Sequence, residues 1–237
     1  MKKLQRLSSL LFSIIVFAAV ARAQETAAVE PAAKEAAAKA KSDGEIEKKA
    51  THWIESIALG DAQKVARVKE VVATHLKAVR DWHNEHPFTA VPEGINPATG
   101  KPLNSLDRQM IADGAIPKTV HEALMNGLRK DLREEQVEAV LDKYTEGKVA
   151  FTMAGYRAIV PDLTKEEEAT ILGFLKQARE QAVDYKSIKQ VSAIFEIYKT
   201  KSEQFLNSNG RNWKELYKAF TASVKAKKAA AAAENKP

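Results

Sequence analysis

From residue 46 onward apolar residues recur three or four positions apart, which is the spacing of amphipathic helices rather than of strands. Ile46, Trp53, Ile54 and Ile57 share one face of a first helix that Gly60 stops. Asp61 then caps a second helix, whose stripe of Val65, Val68, Val72, Leu76 and Val79 continues to Trp82 or His83 before Pro87 ends it. Pro117 opens a helix bearing Val120, Leu124 and Leu128, and Asp131 with Glu134 reads as a capping box for one bearing Val137, Val140, Leu141 and Tyr144. Thr164 with Glu167, Ser187 with Gln190 and Asn212 with Glu215 open three more, the last two parted by Asn207-Ser208-Asn209-Gly210. Only residues 149–160 leave helix and strand open. The pattern predicts an all-α, single-domain helical bundle of six to seven helices. Residues 87–106, with four prolines and two glycines, form its one long Pro/Gly-rich loop, too long for a spacer and either a functional surface or an elaborate helix connection.

The ends differ from this body. Lys2, Lys3 and Arg6, then an apolar stretch from Leu7 to Val20, then Ala21-Arg22-Ala23 have the three parts of a secretory signal. About 14 apolar residues are too few to span a bilayer, so cleavage after Ala23 and a periplasmic or secreted protein without a transmembrane segment are expected. Residues 24–44 are an Ala/Lys/Glu-rich linker, 45–224 the helical domain, and 225–237 a low-complexity Lys/Ala tail.

Composition narrows the chemistry further. The formal charge of +6 resides in the ends: Lys2, Lys3, Arg6 and Arg22 stand without an acid, and the tail holds four lysines and one glutamate. The helical domain carries equal numbers of each sign, so it offers nothing to a nucleic acid. With no cysteine, disulfides, thiolate metal sites, thiol nucleophiles and a lipoprotein anchor are all excluded. Neither Gly-x-Ser-x-Gly nor Ser-x-x-Lys occurs, so no catalytic residue is assigned. No metal and no cofactor is expected either. His75, His83, His86 and Glu85 lack the His-Glu-x-x-His order of a zinc helix, and histidines suit a helix carboxyl end, where they meet unpaired carbonyls.

The remaining signal is aromatic and polar. Trp53, Trp82, Trp213, Tyr156, Tyr198 and Tyr217 are flat faces on which sugar rings can stack. Trp82 is interleaved with charged neighbours beside the long loop. The candidate ligand-binding set is therefore Asp81, Trp82, His83, Glu85, His86, Asn96, Tyr198 and Lys199, and Trp82→Ala is expected to weaken binding.

Three stretches then carry a family resemblance: Tyr156-x-x-Ile159-x-Pro161-x-Leu163-Thr164, the run Leu175 to Asp184, and Phe195-x-x-Tyr198-Lys199 followed by Phe205-Leu206 and Gly210. From about Ala50 to Phe220 the chain resembles a secreted bacterial family catalogued as domain of unknown function 3826. Its members carry signal peptides and have been described as sugar-binding, so the resemblance implies an oligosaccharide or polysaccharide partner. Two alternatives stand beside it. Leu132-Arg133-Glu134-Glu135-Gln136 and Leu163-Thr164-Lys165-Glu166-Glu167 partly fit helical periplasmic chaperones, and an uncharacterised hydrolase is the third class.

Overall fold

The computed structural model describes residues 33–234 with the exception of Ala98. The expected signal peptide, 1–23, lies outside the described residues. Contacts divide the chain after Lys49. Helix α1 covers 33–55, and Ala50 and Ile54 on its later part are fully buried. After it come α2 (Ala62–Glu85), a 3₁₀ turn (Phe88–Ala90), α3 (Ser105–Asp113), α4 (Lys118–Asp131), α5 (Glu134–Tyr144), α6 (Lys148–Ile159), α7 (Lys165–Ala182), α8 (Ile188–Ser208) and α9 (Trp213–Glu234). Among the described residues there is no strand, only an isolated bridge between Ile95 and Pro102. None of the described helices is long and apolar enough to cross a membrane.

The all-α class is as the periodicity predicts, but nine helices stand among the described residues where six to seven were expected. The two additions are α3 and α6. Helix α3 has nine residues, too few for the apolar spacing to repeat, and is defined by its cap: Asn104 Oδ1 accepts from Leu106 N and Asp107 N. Helix α6 buries Val149, Met153 and Tyr156, with Val160 just beyond its end, all at helical spacing. Its outward face carries Phe151, Ala154 and Gly155 as well, so the sequence looks apolar all round and its period is blurred.

Most of the predicted caps form. Asp61 accepts from Gln63 N and Lys64 N, Thr164 and Glu167 bond reciprocally, and so do Ser187 and Gln190. The start of α5 is a correction. Asp131 is the last residue of α4, where it takes a bidentate hydrogen bond from Arg67. Arg133 is the N-cap of α5, and Gln136 reaches back to accept from its backbone N–H.

Packing is strongest between α7 and α8 and between α2 and α4. Val149, Met153, Tyr156, Ile171, Leu175 and Ile194 belong to one apolar cluster shared by α6, α7 and α8. Val68, Val72, Leu124 and Leu128 are buried on α2 and α4. Segment 86–104 is fastened to α3: Arg108 donates to Val91 O, and Gln109 bonds both Phe88 N and His86 O. Helix α9 is set by the turn before it. Gly210 takes a left-handed φ of 83°, and Arg211 donates twice to Glu167 and once to the Asp162 carboxylate. The Arg211 hydrogen bonds, with the Thr164 backbone N–H, hold the Glu167 carboxyl down at about 2.

Candidate functional site

The turn clamp decides which side chains α9 presents. Trp213 opens the helix, its N–H bonded to Asn207 Oδ1 at 2.9 Å, and Tyr217 follows one turn later on the same face. Their rings lie 6.0 Å apart at an interplanar angle of 28°. Tyr156 of α6 meets Trp213 at 5.3 Å, and its hydroxyl donates to Lys199 O on α8 at 3.1 Å. Burial pushes that hydroxyl well above the usual tyrosine range. These rings, with Phe151, enclose an aromatic-lined cleft of about 610 Å³ between α6, α8 and α9. Its size lies within the roughly 300–1,000 Å³ usual for small-molecule sites. Phe151 is 81% exposed and Tyr217 50%, so this side of the lining faces solvent, while Tyr156 is buried in the core cluster and Trp213 packs against it. Lys199 and Glu203, four residues apart on α8, supply charge at the rim. Burial raises the Glu203 carboxyl above its ordinary value; Lys199 works against that shift and Glu196 adds to it.

The sequence-predicted site residues are not brought together in this cleft. Trp82 stacks on His86 with ring centroids 3.7 Å apart, and its indole N–H donates to Ala112 O at 3.1 Å. His86 Nδ1 donates to Trp82 O, His83 Nδ1 donates to Asp113 Oδ2 at 2.6 Å, and Asp81 pairs with Arg80. Glu85 is exposed at the end of α2. Asn96 lies in the bridge-closed turn, where its N–H donates to Lys101 O. Tyr198 and Lys199 are neighbours on α8 but line different clefts: Lys199 the aromatic one, Tyr198 a polar one between α4, α7 and α8. Trp82 thus has one ring face covered and its donor satisfied, whereas Trp213 is partly buried against the core and Tyr217 beside it is half exposed at the aromatic cleft.

The polar cleft, about 510 Å³, is built around Asp184. His75 Nε2 donates to its Oδ1 at 3.0 Å and His121 Nδ1 to its Oδ2 at 2.8 Å. His121 Nε2 lies 3.6 Å from Glu180 Oε1. The hydrogen bond to Asp184 holds the His121 imidazole above its ordinary pKa against the opposing effect of burial. At Asp184 burial acts to raise the carboxyl, but the bonds from His121 and His75 outweigh it and leave it low. A second carboxylate, Asp113, accepts from His83, Gln109 and Gln190. These networks join α2 to α3, α4, α7 and α8. His75 and His121 share Asp184, His83 turns to Asp113 and His86 to a backbone carbonyl, and among the described residues no group of three or more His, Asp or Glu side chains is placed to hold a metal ion.

Trp213, Tyr156 and Tyr217 were visible in the sequence as aromatic faces; Phe151 and Glu203 carried no signal of their own. The four-residue spacing of Trp213 and Tyr217 was the available clue to a shared face. A family model described as "Protein of unknown function (DUF3826)" matches residues 43–226, a span that contains the whole aromatic cleft. No curated protein matches the chain.

Proposed function

The chain belongs to this family of unknown function (DUF3826), and from its own geometry we propose that it is an exported oligosaccharide-binding protein whose ligand lies in the cleft between α6, α8 and α9. Sugar rings present flat C–H faces and a rim of hydroxyls. A receptor for them needs exposed aromatic plates beside hydrogen-bonding side chains. The observation that carries the proposal is the grouping of Phe151, Tyr156, Trp213 and Tyr217 around one cleft with Lys199 and Glu203 on its wall. Export rests on the basic, apolar and Ala-x-Ala parts of residues 1–23.

The segments that resemble chaperone helix starts serve here as caps. Gln136 bonds Arg133 N, and Glu167 bonds Thr164 N and Arg211. Calorimetry with a panel of plant and microbial oligosaccharides tests the binding reading. Saturable binding to a subset is expected, and Tyr217→Ala should weaken it about three- to tenfold, the worth of one aromatic contact. Tyr217 is half exposed, so its removal leaves the fold intact. Silence across the panel contradicts the proposal, and release of shorter products during the titration replaces it with a hydrolase.

A further inference from the structure

Lys199 and Glu203 stand one turn apart on α8 and face the same cleft, yet their electrostatic situations differ. The Lys199 ammonium contacts both oxygens of the Glu196 carboxylate at 2.9 Å, so its charge is already answered from its own helix. Glu203 forms no ion pair and no side-chain hydrogen bond among the described residues. It is half-buried beside Tyr156 and Trp213, and burial is the main cause of its raised carboxyl pKa. The cleft therefore presents one incompletely solvated carboxylate with no direct partner among the described residues, eased only through space by Lys199, among aromatic faces whose π-clouds are also negative.

The three kinds of sugar would meet this lining differently. A neutral sugar can donate hydroxyl hydrogen bonds to Glu203 but leaves its charge in place. A uronic acid brings a second carboxylate to the same wall and is repelled. An ammonium group donates charge-assisted hydrogen bonds, neutralises Glu203 and is attracted by the faces of Trp213 and the tyrosines. Lys199 is paired with Glu196, which offsets part of the repulsion its own charge would exert on that ammonium. We infer that the preferred ligand of the cleft is an oligosaccharide bearing free amino groups, with Glu203 as the carboxylate that receives the ammonium. The inference rests on the carbohydrate reading and specifies its substrate class.

The test uses the full chain and three β-1,4-linked tetrasaccharides, of glucose, of glucosamine and of N-acetylglucosamine, titrated by calorimetry at about pH 6, where a sugar amine is protonated. The glucosamine tetramer is expected to bind about tenfold more tightly than the glucose tetramer, the worth of a hydrogen bond to a charged group. The acetylated tetramer should show no such gain, since acetylation removes the charge but keeps the ring. Glu203→Gln keeps the shape of the side chain and should bring the glucosamine and glucose tetramers to within about twofold of each other. Its helical circular dichroism and melting midpoint report that it is folded. Equal affinities in the natural chain overturn the amino-sugar inference while leaving the carbohydrate reading standing. A preference that survives Glu203→Gln overturns the assignment to Glu203. Failure of all three tetramers to bind, together with silence across the wider panel, overturns both.

Discussion

Asp184 shows how a single carboxylate can tie three helices and make their attachment depend on pH. It follows the end of α7 and takes one imidazole from α2, His75, and one from α4, His121. His121 has a raised pKa, so its contribution is complete below the ordinary value of 6.5 and is lost as pH rises through the raised one. Asp184 has a lowered pKa, so its contribution is present above 3.8 and is lost as pH falls through the lowered value. The pair is therefore at full strength between about pH 4 and pH 6.5. His121→Gln should lower stability by about 1 kcal/mol in that window, a modest figure because the ring is partly open to solvent. Denaturant titrations of both proteins should show the gap shrinking as pH rises through the raised His121 value and the imidazole loses its proton. A gap independent of pH between about 5 and 9 would show that the variant acts through packing rather than charge.

Among the elements, α2 and α4 cross with little room at Gly127. A methyl group at Gly127 would lie 2.8 Å from both γ-carbons of Val71. Valine on a helix has one dominant rotamer and cannot turn aside cheaply, so the helices would have to move apart. Gly127→Ala should destabilise the protein by about 1–2 kcal/mol, because overpacking outweighs the gain in helix propensity. A melting midpoint equal to or above that of the natural chain would contradict this close approach. The sequence made most elements legible where a cap and an apolar stripe coincided, as at Asp61, Thr164 and Ser187. It concealed α3, which is held by Asn104 and by contacts from the preceding segment, and it blurred α6, whose exposed Phe151 breaks the polar face. At α5 the familiar Asp-x-x-Glu spacing pointed two residues too early. Asp131 is engaged by Arg67, sixty-four positions away in the chain, and no local pattern encodes that pairing.

For the molecule as a whole, the division of labour between its polar and aromatic clusters was the least legible feature. The dense polar run Arg80 to His86 looked like a binding surface in sequence. Folding spends it on internal ties: His83 to Asp113, Trp82 to Ala112 and His86, and Asp81 to Arg80. The aromatic cleft instead draws on α6, α8 and α9, whose contributing residues run from Phe151 to Tyr217. Its assembly depends on Arg211 seating the start of α9 against Glu167 and Asp162, a long-range contact that helical periodicity does not reveal. The most direct test follows the three tryptophan indole N–H resonances by NMR, each assigned through a single Trp→Phe variant, while an oligosaccharide from the positive panel is added. A saturable shift at Trp213 with Trp53 and Trp82 unmoved is expected; a shift confined to Trp82, or none at any of the three, would place the ligand outside the aromatic cleft or exclude it.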